Sequence, residues 1–253
     1  MYNLVIDIGN SNTHIGIFSS KLIHSLKFPT HGDSAVKDAD SVISLLGKKI
    51  ISYCAISSVV PDKENFWHQY INIKLKVNPL IISNKTKLPI KLKVKNSIAL
   101  GTDRICNAVC GYEFFKKKHN VIIIDIGTAL TFNVVLKSGD FVGGIIAPGV
   151  GMSAKVLNDS TGKLPYLSNE NLSFPKSIIG NDTKSAIQSG LLNTAKYAIE
   201  GLFEAIQKET KQGFKSILTG GNARIFVNKL RFKPVYIENA VLIGLNRIVE
   251  YNK

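Results

Sequence analysis

The chain has 253 residues, 45% of them hydrophobic and 20% charged, the proportions of an ordinary globular protein. No apolar run reaches the roughly 18–20 residues of a membrane span, because Asp125 interrupts the longest candidate, and MYNLVIDIGN has neither the basic region nor the cleavage site of a secretory signal, so a cytoplasmic location and no membrane partner are expected. The net charge of +14 invites a nucleic-acid reading, but all but four of the 32 basic residues (Arg104, Arg224, Arg231 and Arg247) are Lys, without the guanidinium forks such recognition favours, and no nucleic-acid partner is expected.

Three short strands are predicted near 3–8, 13–18 and 22–28, joined by turns rich in Gly, Asn and Ser. A helix from Asp33 to Leu46, a strand over 50–58 and a helix opened by Pro61 follow, with a short strand at Leu80–Ile82. Ile105, Val109, Tyr112 and Phe115 have helical spacing and predict a helix from Thr102 to about Lys118, ending in a basic patch that suits the helix dipole. Then the pattern restarts: strands over 121–126, 130–136 and 141–147, a helix over about 183–208, a strand at 216–219 and a final helix from about Asn239. Two halves meeting near residue 117 are the economical description. Segment 159–177, with Pro165 and Pro175, reads as the longest irregular stretch. Cys54, Cys106 and Cys110 are odd in number and read as buried small hydrophobes, neither a disulfide frame nor a metal site.

The four letters IDIG occur at 6–9 and at 124–127, 118 residues apart. Each copy places a carboxylate, Asp7 or Asp125, near the end of an apolar strand and follows it with glycine and small polar residues. Thr13 and Thr131 fall at equivalent distances after the two carboxylates. Gly lets backbone approach a ligand and turn amides can cradle an anion, whereas a carboxylate beside phosphates needs an intervening cation. The combination points to a divalent metal–nucleotide complex. In LGTDRICNAVCGYEF, Asp103 and Arg104 open a helix after Gly101 and Thr102. Helix amides and a guanidinium suit a substrate carboxylate, and Asp103 suits the proton of an attacking hydroxyl. GVGMSA at 149–154 has the form of a dinucleotide fingerprint, but Pro148 precedes it, and it reads better as close packing beside the second loop. The loop Thr219-Gly220-Gly221-Asn222, after a strand, suits an adenosine or a phosphate, and no Walker A loop is present.

DIGNSN at 7–12, LGTDR at 100–104, DIGTALTF at 125–132, GGIIAPGVGM at 143–152, TGKLP at 161–165, GNDTKSAIQSG at 180–190 and LTGG at 218–221 follow one another in the order and spacing of type III pantothenate kinases. The chain resembles that family over essentially its full length and, more broadly, the superfamily of acetate and sugar kinases, heat-shock chaperones and actin. The resemblance implies an α/β protein of two ribonuclease-H-like domains (the actin-like ATPase fold), each a mixed sheet flanked by helices, related by internal duplication. Residues 1–117 would carry the first phosphate loop and the pantothenate site, and 118–253 the second phosphate loop, the adenosine loop and the dimer interface. It implies ATP-dependent phosphorylation of pantothenate to 4'-phosphopantothenate, the first step of coenzyme A synthesis, by a homodimer using Mg²⁺ with ATP and a monovalent cation, K⁺ or NH4⁺. Asp7, Ile8, Gly9, Asn10, Ser11, Asn12, Thr13 and His14 would form the first phosphate loop, with Asp7 facing Mg-ATP through water, and Thr128 would touch ATP. Gly101, Thr102, Asp103 and Arg104 would hold pantothenate, Thr183 would reach it across the dimer interface, Asp103 would be the base, and Asp125 would bind the monovalent cation.

The chain departs from the family's pattern at Thr102, where an alanine is usual, at Val94 and Ser97, where a pocket tyrosine and a proline are usual, and at Thr194, where a glycine is common. Competing readings are a kinase of the same fold for another small hydroxylated substrate and a non-catalytic transcription accessory factor of the same family.

Overall fold

The computed structural model describes residues 2–32, 34–168 and 172–253. The chain forms two compact units, one of residues 1–117, 138–142 and 239–253, the other of residues 118–137 and 143–238. The helix from Asn239, late in the chain, belongs with the first unit.

In the first unit, β1 (Tyr2–Ile8), β2 (Asn12–Phe18) and β3 (Leu22–Pro29) form an antiparallel meander, and β4 (Ile51–Ser58) and β5 (Leu80–Ile81) extend it in parallel, giving the order β3-β2-β1-β4-β5. Alternate residues of β1 go to opposite faces. Leu4, Ile6 and Ile8 pack with Ile15, Ile17, Cys54 and Ile56 beneath α1 (Ala35–Leu46) and α2 (Pro61–Leu75), closed by Val42, Trp67 and Ile71. Asp33, the expected start of α1, lies outside the described residues. The other face of β1 meets α6 (Ala240–Tyr251), which packs beside α3 (Thr102–Phe114). Asn3 Nδ2 donates to Asn246 Oδ1 at 2.8 Å and to Glu250 Oε1 at 2.7 Å, fastening β1 to α6. The two helices touch backbone to backbone: a methyl group on Gly244 would lie 2.6 Å from the carbonyl carbon of Cys106 and closer still to its oxygen. Helix α3 stops at Phe114, and Lys116 and Lys117 follow in the left-handed region, where Lys117 pairs with Glu113 at 3.0 Å. All three cysteines are buried, as the sequence reading of them as small hydrophobes expects.

The second unit repeats the plan. β7 (Val121–Ile126) pairs antiparallel with β8 (Ala129–Val135) and parallel with β10 (Lys215–Thr219), which in turn pairs with β11 (Val235–Tyr236). With β9 (Asp140–Pro148) the order is β9-β8-β7-β10-β11, matching the first sheet strand for strand. The short β6 (Lys91–Leu92) pairs with Asp140 and Phe141 at the start of β9, two residues that cluster with the first unit. Ile122, Ile124 and Ile126 pack with Phe132, Val150, Leu192, Ile199 and Phe203 against α4 (Val150–Asp159) and α5 (Thr183–Thr210). Glu200, fully buried in α5, accepts from the backbone N–H of Arg231 at 2.8 Å and from its Nε at 3.0 Å, so its charge is paired where burial would otherwise expel it. After Asn222 the chain makes a short 3-10 turn over Ala223–Ile225. Among the described residues no helix is long and apolar enough to cross a membrane.

Candidate active site

Strand register gathers the first group. Asp7 stands opposite His14 on β2 and Ser57 on β4, and His14 stands opposite Lys27 on β3. Paired residues share a face, so Lys27, His14, Asp7 and Ser57 form one polar row across four strands, on the face away from α1 and α2. Burial first, and Lys27 second, pull the His14 imidazole down to about 4, which leaves it neutral at physiological pH. Ser57, fully buried, donates from Oγ to Asp7 Oδ1 at 2.9 Å.

Of the other residues expected in the first phosphate loop, Asn10 and Ser11 are exposed in the turn between β1 and β2, beside Gly9 and Asn12, whereas Ile8 is core. Thr13 is buried as well: its hydroxyl lies 3.0 Å from that of Thr30, which donates to the carbonyl of Gly9 at 2.7 Å. Thr13 is thus a buttress beneath the loop. The structure also corrects the equivalence of Thr13 with Thr131. In the second hairpin Thr131 pairs directly with Asp125, so its counterpart in the first is His14. The first turn holds Gly9, Asn10 and Ser11 and the second only Gly127 and Thr128, and one extra residue moves the next side chain to the opposite face.

Helix α3 brings the second group to the same unit. Asp103 sits in its first turn, with its carboxylate folded back so that a methyl group on Gly101 would come within 2.5 Å of Oδ1. Burial raises the Asp103 carboxyl above its ordinary value, while the N–H and charge of Arg104 and its own N–H act in the opposite sense. The Arg104 guanidinium lies over the Phe141 ring, 5.8 Å from its centroid. The hydroxyl of Thr102 donates to the Ser58 carbonyl at 3.0 Å and lies 3.0 Å from Ser57 Oγ. Beside this turn an open cleft of about 360 Å³ is lined by Ser58, Ser83, Asn84, Ile98, Gly101 and Thr102, among others. Ser97 accepts from Asn84 Nδ2 at 3.3 Å and so ties down one of its walls.

The second unit presents a parallel arrangement around Asp125, which stands between Thr131 on β8 and Thr219 on β10. The loop after β10 closes directly on it. Gly220 has φ +99°, and a methyl group there would be 2.6 Å from the N and C atoms of Ile126 and closer still to Asp125 Oδ1, so only glycine fits. Gly149 donates to the Thr128 carbonyl at 3.1 Å, the close packing beside the second loop expected of GVGMSA. Thr128 is exposed in the turn. Thr183, also exposed, opens α5 behind a capping box in which Asp182 accepts from the Ser185 N–H at 2.9 Å.

Among the described residues no three His, Cys, Asp or Glu side chains are grouped to enclose a metal. A single carboxylate such as Asp7 fits a Mg²⁺ ion that keeps most of its water and is held chiefly by nucleotide phosphates, the usual habit of that ion. Sequence reasoning missed Ser57, Thr30 and Gly244. The first two sit at polar strand ends and needed the register to be seen, and the third needed the α3–α6 crossing.

The sequence profile described as type III pantothenate kinase matches residues 3–205. A type III pantothenate kinase of Persephonella marina is 35% identical over 98% of each chain, and one of Pelagibacter ubique is 36% identical over 96% of this chain and 97% of its own. In fold, the chain is similar to a Listeria monocytogenes protein assigned as an N-acetylmannosamine kinase, with a TM-score of 0.52 at 10% identity over the whole of both chains. Two like-ordered mixed sheets, each with an aspartate and a glycine turn at the end of its first strand, are the architecture of the actin-like and sugar-kinase folds, and the sequence matches narrow it: the chain belongs to the type III pantothenate kinase family.

Proposed function

We propose that the protein transfers the γ-phosphoryl group of ATP to the primary hydroxyl of pantothenate, giving 4'-phosphopantothenate and ADP, with Asp103 as the general base. The observation that carries this reading is the placement of Asp103, half-buried at the head of α3, one residue from Thr102 and the cleft it lines. The pantothenate hydroxyl oxygen attacks the γ-phosphorus, its proton passes to an Asp103 carboxylate oxygen, and the bond to the bridging oxygen breaks as ADP leaves. Arg104 and the positive end of the α3 dipole hold the pantothenate carboxylate, with Gly101 and Thr102 against its chain.

Asp7 and the turn Gly9–Asn12 hold the phosphates, with neutral His14 adding no charge of its own. Mg²⁺, held by those phosphates and, through water, by Asp7, would neutralise charge on the transferred group. Thr128 contacts ATP, and Asp125, with Gly220 against its carboxylate, holds K⁺ or NH4⁺. Exposed Ile146, Met152, Val156, Ile179 and Tyr197 in the second unit support a homodimer, with Thr183 contributing to the partner's pantothenate site.

The test is direct: purified protein, ATP, Mg²⁺ and pantothenate, with and without K⁺, for the wild type and Asp103→Asn. Phosphopantothenate from the wild type, with a loss of about 10²–10⁴-fold in kcat for Asp103→Asn, is expected. No product under any cation would refute the reaction, and indifference to K⁺ would remove the role of Asp125.

A further inference from the structure

Lys27 ends the polar row that crosses the first sheet, standing opposite His14 on β2, which in turn stands opposite Asp7 on β1. β3 is the edge strand of that sheet, and along it Leu26 and Phe28 turn into the core while Lys27 faces the other way and is exposed. Two strand spacings, about 10 Å, separate the backbones of β3 and β1, near enough for a long lysine side chain to fold over onto an aspartate. His14 stands between them, and its ring feels the Lys27 charge, second only to burial in pulling the imidazole down. Among the described residues Lys27 pairs with no acid, Asp7 included. The site beside it needs a cation. The turn Gly9–Asn12 carries no basic residue, Asp7 is acidic, His14 is neutral, and Mg-ATP keeps a net negative charge. Lysine on an edge strand also serves to keep sheets from pairing edge to edge, but Pro29, two residues on, already blunts this edge.

We propose that Lys27 is a nucleotide-binding residue whose ammonium reaches the outer phosphates of ATP from β3, while Asp7 engages the Mg²⁺ from β1 and His14 between them keeps the two charges apart. An ion pair between Lys27 and Asp7 would satisfy both groups and leave neither for the ligand. With the imidazole as spacer, the ammonium stays available for phosphate oxygens as a flexible point charge, and the carboxylate stays available for metal-bound water.

The inference rests on the assignment of Asp7 and the turn Gly9–Asn12 to the nucleotide side, and its test need not involve pantothenate. Calorimetric titration of the full chain with ATP at saturating Mg²⁺, and separately with adenosine, reads the contact. Lys27→Gln is expected to raise the Kd for ATP about tenfold, the scale of one hydrogen bond between charged groups, and Lys27→Glu to raise it further, while adenosine binds both variants as it binds the wild type. Lys27→Arg keeps the charge and should keep the affinity for ATP. Lys27 is exposed, so all three variants should melt with the wild type. A residue that only guards the sheet edge would let Lys27→Glu bind ATP like the wild type, because either charge serves there. That result, an equal loss in Lys27→Arg, or an equal loss toward adenosine would overturn the proposal. If the wild type makes phosphopantothenate while ATP binding ignores Lys27, only this inference falls. If ATP binding depends on Lys27 and no phosphopantothenate forms, the reaction falls and the contact stands.

Discussion

Replacing Gly244 by Ala puts one methyl group into the α3–α6 crossing, 2.6 Å from the carbonyl carbon of Cys106 and nearer still to its oxygen. Comfortable separation between carbon atoms is about 3.5–4.0 Å, so the helices must part by about 1 Å. Neither atom is the end of a flexible side chain; both partners are backbone in the middle of helices, and the strain cannot be relieved by a rotamer change. Overpacking of cores costs about 1–3 kcal/mol, and a backbone contact belongs at the upper end, near 3 kcal/mol. For a protein of this size about 2–4 °C is lost per kcal/mol, which predicts a drop in Tm of about 6–12 °C by scanning calorimetry at fixed protein concentration. The control is the same change at Gly201, in the exposed part of α5 with nothing within 4 Å of the new methyl group, where helix propensity predicts a small gain. Because α3 carries Asp103 at its head, kcat should fall in Gly244→Ala even well below its Tm. A Gly244→Ala protein that melts with the wild type, or alongside Gly201→Ala, would refute the reasoning that the two helices are held at backbone contact.

Gly101→Ala forces the Asp103 carboxylate off its seat, since the methyl group would be 2.5 Å from Oδ1; kcat for phosphopantothenate formation should fall at least about tenfold with little change in Tm. Gly220→Ala meets both a φ of +99° and the Asp125 carboxylate, and should abolish any activation by K⁺ along with about 1–3 kcal/mol of stability, read from K⁺ titrations and urea unfolding. Asp103 holds its proton more tightly in the folded protein than its ordinary value of 3.8, so the acid limb of kcat/KM should lie above that value. The same shift means that ionising Asp103 costs folding stability as pH rises through it, and Asp103→Asn at neutral pH should be at least as stable as the wild type by calorimetry.

The two Asp-x-Gly hairpins were legible because an acid in an apolar strand followed by glycine is a local pattern, and the meander β1–β2–β3 follows from turn residues at short spacing. The head of α3 was legible for the same reason. What local pattern could not convey was register. The difference between Thr13 and His14 as the neighbour of the carboxylate turns on one extra residue in the first turn, and Ser57 acquires its partner only because β4 lies parallel to β1 in a particular alignment. β6 and β11, at two residues each, carry too little periodicity to be seen, and the return of α6 to the first unit is decided by tertiary partners such as Asn3 and Cys106.

That return has a bearing on how the polypeptide emerges from the ribosome. The second unit draws on residues 118–137 and 143–238, so all of its pieces are available before α6 has been synthesised. The first unit begins earliest yet must wait for residues 240–251, and until they arrive Asn3, Val5 and the flank of α3 lack the helix that covers them. The half that starts first is completed last, and translation that stalls before residue 240 leaves a chain whose candidate base is already in sequence but whose supporting helix is not.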